Sequence, residues 1–275
     1  MDFYCANHDF KKANIVLLGV PYDGTSSYRP GSRFAPNAIR EASYGIESYS
    51  PYQKKDLRDL KICDLGDMPL SFGDKNLNLD LIESFSKKII YGRKKPVFLG
   101  GEHLISYPLI KAFKRKYKEL VVLHIDAHSD LIDSYRGEQL SHATVMRRVA
   151  EIVGFDNLYQ LGIRSLNRED LLLPYRDENM CLFNLDKAKE FIQKIGNKPV
   201  YLSLDLDVLD PSIFPGTGTP EPGGVTYKEL LECLFLFETL NIVGADIVEL
   251  SPHYDQSGVS SITAASIVRE LLLLI

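Results

Sequence analysis

The sequence predicts an α/β fold: one domain over residues 1–275, built on a mostly parallel sheet of about eight strands with helices on both faces. Three observations carry this. Apolar runs of strand length recur along the chain and alternate with segments of helical period, the mark of repeated strand–helix–strand units. Many of the runs are apolar on both faces, as strands covered by two helical layers must be. No linker, internal repeat or low-complexity tract divides the 275 residues, a length that suits one large α/β domain.

The strand-length runs are NIVLLGV (14–20), DLKICDL (59–65), PVFLG (96–100), ELVVLHID (119–126), NLYQLGI (157–163), MCLF (180–183), PVYLSLDLDV (199–208) and NIVGADIVEL (241–250). After the first comes PNAIREASYGIES, with Pro36 near a helix start, where a missing N–H costs nothing. LDLIESFSKKIIYG sets Leu81, Ile82, Phe85, Ile89 and Ile90 on one face and closes on Gly92. The same period returns in TVMRRVAEIVG, LDKAKEFIQKIGN and TYKELLECLFLFETL. LLLLI at the end is expected to form the last turns of a helix.

Composition narrows the function classes. Hydrophobic residues are 45% and charged residues 25%, ordinary for a globular protein. A formal net charge of -5 argues against nucleic acid as a partner and is compatible with a small cationic substrate. Cys5, Cys63, Cys181 and Cys233 stand far apart with no paired spacing, which predicts free thiols in a reducing cytoplasm rather than a zinc cluster. MDFYCANHDFKK lacks a basic start followed by an apolar run, so no signal peptide is expected. No apolar stretch reaches the roughly 18 residues of a membrane helix, so no membrane partner is expected.

Chemistry gathers where strands must end, which is where α/β sheets form ligand sites. GGEHLISYP (100–108) follows PVFLG: Gly100 and Gly101 permit a sharp turn, and His103 lies just beyond. Alone, a histidine after glycines reads as structural. In LHIDAHSDL (123–131), Asp126, His128 and Asp130 fall where the strand gives way, while His124 lies inside it as a core histidine. In SLDLDVLDP (203–211), Asp205 and Asp207 share one face of a strand end, and two buried carboxylates there are costly unless a cation neutralises them. Asp210, before Pro211, reads as a turn residue, and PSIFPGTGTPEPGG as a rigid pocket wall. Together His103, Asp126, His128, Asp130, Asp205 and Asp207 offer mixed oxygen and nitrogen ligation, which suits Mn²⁺ and, less characteristically, Fe²⁺ or Co²⁺. Six ligands suit two ions about 3.5–4 Å apart that share bridging carboxylates and yield hydroxide from water at neutral pH.

GGEH, DAHSD and SLDLDVLDPSIFPGTGTPEPGG also resemble the metal motifs of the ureohydrolases, the arginase and agmatinase family, and the resemblance runs from GVPYDGTSSYRPGSRFAPNAIR (19–40) to GADIVELSPHYD (244–255). It implies a three-layer α/β/α fold, a homo-oligomer (trimer or hexamer) and two Mn²⁺ per chain. One ion would be held by His103, Asp126, Asp130 and Asp205, the other by Asp126, His128, Asp205 and Asp207, with Asp126 and Asp205 bridging. His142, in LSHATVMRRV, matches the family's proton-shuttling histidine; without the resemblance it reads as a surface or capping residue. Glu249, in ADIVELSP, matches the acid that receives the substrate guanidinium, where a strand-end ion pair would otherwise be the reading.

Within the family, PGTGTPEPGG and SYRPGSRFAPNAIR look like agmatinases. Ile132 stands where arginases typically have an asparagine for the amino-acid end of their substrate, which speaks against arginine. The resemblance therefore implies hydrolysis of agmatine to putrescine and urea by a metal-bridging hydroxide, oriented by Asp130, with His142 delivering a proton. Two rim residues pull in opposite directions: Asp133 would suit an ammonium tail, whereas Arg136 would suit a guanidino acid such as 4-guanidinobutyrate, the alternative substrate. A two-metal phosphohydrolase would need basic residues that the motifs do not supply. A catalytically silent binding subunit would not need all six ligands with His142 and Glu249.

Overall fold

The computed structural model describes residues 1–173 and 176–275. Parallel strands cannot be joined by tight turns, so each must be followed by a crossover. Eight strands are joined in this way by seven crossovers: β1 (Ile15–Val20), β2 (Ile62–Asp67), β3 (Lys95–Gly100), β4 (Val121–Ile125), β5 (Leu158–Ile163), β6 (Met180–Leu182), β7 (Pro199–Asp205) and β8 (Asn241–Val248). They form one parallel sheet in the order β2-β1-β3-β8-β7-β4-β5-β6. The longer helices are α1 (Ala35–Ser43), α2 (Lys75–Tyr91), α3 (Ser106–Lys116), α4 (Val145–Val153), α5 (Ala188–Ile195), α6 (Tyr227–Leu236) and α7 (Val259–Leu274).

Period-two alternation sends neighbouring strand residues into different layers. From β1, Ile15 and Leu17 join the core shared with α1, α5, α6 and α7, whereas Val16, Leu18 and Val20 join the core shared with α2, α3 and α4. The result is the three-layer α/β/α arrangement expected from the sequence. All four cysteines are free thiols.

Boundaries depart from expectation where side chains intervene. β2 begins at Ile62 because Asp56 accepts the N–H of Arg58 at 2.9 Å and holds Leu57–Asp59 as a 3-10 turn. α3 carries Lys114, Arg115 and Lys116 in its last turn. That basic end sits favourably at a helix C-terminus, and it masks the apolar face in the sequence.

The register sets the site. Leu99 pairs with Ile247, Ile247 with Leu204, and Leu204 with Ile125, so the adjacent strands β3, β8, β7 and β4 are level near their carboxyl ends. One step further lie Asp126, Asp205, Val248 and Gly100, and the polar residues follow from there.

Candidate metal centre

Gly101 is what lets β3 deliver its histidine. A Cβ at this position would lie 1.9 Å from the Tyr22 carbonyl oxygen. Without one, Gly101 N–H reaches Val20 O at 2.9 Å, Glu102 N–H reaches Tyr22 O at 2.7 Å, and Gly101 O accepts Glu249 N–H at 3.0 Å. The end of β3 is thus pinned between the ends of β1 and β8. His103 opens a 3-10 turn, His103–Ile105, that leads into α3.

β4 ends at Ile125, and the Asp126 carboxylate turns the chain by accepting the His128 N–H at 2.5 Å. Asp130 then adopts a positive φ of 54°, and Glu249 after β8 one of 66°. Both conformations are sparsely populated for residues other than glycine, and such strain collects at functional sites. β7 differs from the sequence reading. Asp205 and Asp207 do not share the face of one strand, because the strand stops at Asp205 and Leu206–Val208 forms a 3-10 turn. The cause is local: the Asp205 carboxylate accepts the Asp207 N–H at 2.8 Å. The turn brings the two acids together by a different route.

His103 Nδ1 lies 3.0 Å from Asp126, 3.3 Å from Asp130 and 3.1 Å from Asp205 carboxylate oxygens. It is buried, yet none of these contacts is directed as a hydrogen bond. A ring nitrogen and three carboxylate oxygens converging without a hydrogen bond among them is the arrangement a cation between them explains. The far side of the ring is fixed: Nε2 lies 2.9 Å from Ser203 Oγ, which donates to Asp246 at 2.8 Å, and Tyr201 donates to the other Asp246 oxygen at 2.8 Å. This chain orients the imidazole with its Nδ1 lone pair toward the carboxylates. Beside it, His128 Nδ1 lies 2.9 Å from Asp207 and 3.5 Å from Asp126. The potential ligand atoms of Asp126, His128 and Asp207 lie within 4.8 Å of one another, adjoining the His103 group.

His124 is a neighbour rather than a candidate ligand. Gln160 donates to its Nδ1 at 2.9 Å, and its Nε2 donates to Asp126 at 2.8 Å, so no lone pair is left for an ion. The sequence placed it inside β4, where it lies, but its ring falls within the same 4.8 Å group as His103, Asp126 and Asp130 and backs the cluster through Asp126.

Electrostatics within the cluster are unbalanced. Burial pushes Asp205 well above the ordinary carboxylate range, and the Asp207 and Asp126 charges push further. Asp207 is raised by burial too. At Asp126 burial also acts upward, but His124, His103 and His128 outweigh it and hold the acid well below its usual value. For His103 and His128 burial opposes charging, and the carboxylates overcome it and raise both rings. Buried acids that repel one another, with imidazoles at hand, suit divalent cations.

Glu249 is buried; its Oε1 accepts the His103 N–H at 2.7 Å, and burial and the Glu102 charge raise it well above the usual range. His142 begins a 3-10 turn ahead of α4, with Nε2 3.1 Å from Ser27 Oγ and Nδ1 3.4 Å from Thr25 Oγ1. Burial lowers its pKa, against the pull of Asp130. Asp133 and Arg136 lie exposed on the segment between Asp130 and His142. Asp133 is bonded to Arg148 at 2.5 Å, and the Arg136 guanidinium lies 5.5 Å from the centre of the Tyr135 ring. Thr219, in the glycine- and proline-rich loop, donates to Asp207 at 3.4 Å, so that loop does wall the site.

The sequence reading missed Glu102, Thr25 and Ser27. Glu102 is fully buried and accepts from Thr25 and Ser26, and burial raises it to about 7. The available signals were an acid inside GGEH and the polar run GTSS beyond β1.

The fold and site define a class: a three-layer α/β/α protein with a buried imidazole–carboxylate centre at the carboxyl edge of its sheet. The Arginase family model matches residues 13–274. The agmatinase of Bacillus cereus is 45% identical over 276 residues, covering 98% of this chain and 95% of its own. Among solved structures, the agmatine ureohydrolase of Thermoplasma volcanium is 35% identical with a TM-score of 0.89, covering 99% of this chain and 93% of its own. The proclavaminate amidino hydrolase of Streptomyces clavuligerus is 33% identical with a TM-score of 0.90, covering 99% and 96%. This chain belongs to the arginase family of ureohydrolases. Membership, with the His and Asp groups described, implies a binuclear metal centre.

Proposed function

We propose that this protein hydrolyses agmatine to putrescine and urea, using two Mn²⁺ held by His103, Asp126, His128, Asp130, Asp205 and Asp207. The observation that carries the reading is the convergence of His103 Nδ1 with the carboxylates of Asp126, Asp130 and Asp205. The choice of agmatine rests on 45% identity to agmatinases over nearly the whole chain, and on Ile132 where arginases place an asparagine.

Two divalent ions bound there would lower the pKa of water and supply hydroxide at neutral pH. The chain's own groups do the rest. Glu249, held by the His103 N–H, receives the planar guanidinium through its carboxylate. Asp130 orients the attacking oxygen, and its backbone is fixed because its carbonyl accepts the Arg147 N–H at 3.0 Å. His142 carries a proton to the leaving amine; its depressed pKa leaves the ring neutral and ready to accept one near pH 7. To meet an ammonium tail, Asp133 would have to release Arg148. We further propose a cytoplasmic homo-oligomer, trimeric or hexameric, in keeping with the four free thiols; among the described residues no helix is long and apolar enough to cross a membrane.

The deciding experiment measures urea release from agmatine, 4-guanidinobutyrate and arginine after loading with Mn²⁺, together with the metal content per chain. Urea and putrescine from agmatine, with two Mn²⁺ per chain, are expected. Preference for 4-guanidinobutyrate would move the assignment to a guanidino-acid hydrolase, and inertness toward all three would end it.

A further inference from the structure

We infer that Glu102 and Thr25 form a positioning relay that sets the tautomer and aim of the His142 imidazole. The inference rests on the reading of His142 as the proton carrier, and it assigns a purpose to GTSS, the polar run after β1.

Glu102 is fully buried beside Gly101, where the backbone is pinned on both sides. Its carboxylate accepts the Thr25 N–H at 3.1 and 2.9 Å, the Thr25 hydroxyl at 2.6 Å and the Ser26 hydroxyl at 3.1 Å. A threonine hydroxyl has one proton, and here that proton points at Glu102. Thr25 Oγ1 therefore faces His142 as an acceptor only. It accepts the His142 N–H at 3.1 Å and lies 3.4 Å from Nδ1. An oxygen with no proton to give selects the tautomer that carries hydrogen on Nδ1. Nε2 is then left to exchange a proton, with the Ser27 hydroxyl 3.1 Å away. Tyr135 packs edge-on against the ring at 5.7 Å between centroids and limits its rotation. Asp130, His128 and His103 are the charged groups that also act on this imidazole, from the ends of other elements.

The logic is that of an acid orienting a base through an intermediary, with threonine between. Glu102 and Thr25 position; they do not touch substrate. Misplacing a reacting group by about 1 Å can cost on the order of 100-fold, so losing one of several restraints on the ring should cost about tenfold in kcat, with little change in KM.

Histidine-selective ¹⁵N NMR on the metal-free protein reads the relay directly, with the His142 signal assigned by its loss in His142→Ala. The wild type should show the Nδ1–H tautomer, Thr25→Val a mixture, and Thr25→Ser the wild-type pattern. In the metal-loaded enzyme, Thr25→Val should lower kcat about tenfold, Glu102→Gln should do likewise, and Thr25→Ser should restore most of it. The limb of the kcat–pH profile that vanishes in His142→Ala should shift to lower pH in Thr25→Val, because the imidazolium loses an acceptor. Thr25→Val in the His142→Ala background should add nothing. An unchanged tautomer in Thr25→Val, or a multiplicative loss in the double variant, overturns the relay. Full turnover by His142→Ala alone would instead overturn the proton-carrier reading, while the NMR result still decides the relay.

Discussion

At the scale of single residues, the site is built from atoms whose hydrogen-bond options have been used up elsewhere. His103 spends Nε2 on Ser203, and His124 spends both nitrogens on Gln160 and Asp126, so only the first keeps a lone pair free. Asp126 lies against both His103 and His128, and Asp205 against His103 and the Asp207 N–H, so each links the two halves of the cluster and is a sensitive position. Asp126→Asn or Asp205→Asn should therefore lose bound metal and nearly all turnover, read by metal analysis of the purified variant alongside the urea assay. His142→Ala should differ in kind: metal content stays and kcat falls by about 10²–10⁴, the usual contribution of a positioned acid–base group. Metal loss in that variant would show that His142 supports the cluster instead. The candidate ligand residues could be picked out in the sequence because each lies at or just past a strand end, where polar side chains have little other reason to gather. Glu102 and Thr25 were not, because their bond spans 77 residues of chain and neither residue breaks a local pattern.

Elements position these residues through side chains that tie loops to the sheet. Arg40 of α1 is buried and binds Asp64 at 2.8 Å and Asp67 at 2.5 Å, anchoring the helix to β2. The Asp64 side chain is buried although its backbone is not, so Arg40→Ala would leave an uncompensated charge and should cost roughly 3–5 kcal/mol, measurable by urea unfolding; a loss under about 1 kcal/mol would mean that water reaches the Asp64 carboxylate. At the start of α7, Asp255 takes the part of a cap. It accepts Ser260 N–H at 2.6 Å and Ser257 N–H at 3.0 Å, and although burial acts upward, the serine bonds hold its pKa at about 2. A depressed folded-state pKa stabilises above the unfolded value of about 3.9 and is lost as pH falls through about 2. Asp255→Asn should accordingly lower stability at neutral pH and flatten the stability–pH curve between about 4 and 2, a comparison made by thermal melts across that range. Strand and helix types were readable from period. Their ends were not, because at Asp56 and Asp205 a side-chain carboxylate captures a nearby N–H and stops or delays the strand.

For the whole molecule, the decisive feature is the sheet order, which sets β3, β8, β7 and β4 side by side. Local patterning predicted strands and parallel pairing but not their neighbours, since adjacency between β3 and β8 is a contact between distant segments. That adjacency crowds Asp126, Asp130, Asp205, Asp207, Glu102 and Glu249 into one buried edge of a chain whose formal net charge is already -5. Mutual repulsion and desolvation there oppose folding, so cations that bind only the folded state should stabilise it by mass action. At a hundredfold excess over Kd the gain is about 2.7 kcal/mol per site. For a domain of this size that raises Tm by roughly 5–10 °C. Thermal melts with Mn²⁺ and with a chelator should show this difference in the wild type and lose it in Asp126→Asn. The increment should also shrink as pH falls, because protons compete for the same carboxylates and imidazoles. A wild-type Tm indifferent to Mn²⁺ at every pH would mean that the repulsion at this edge is relieved by protons rather than by metal, and the centre would then have to be read as a hydrogen-bonded acid cluster.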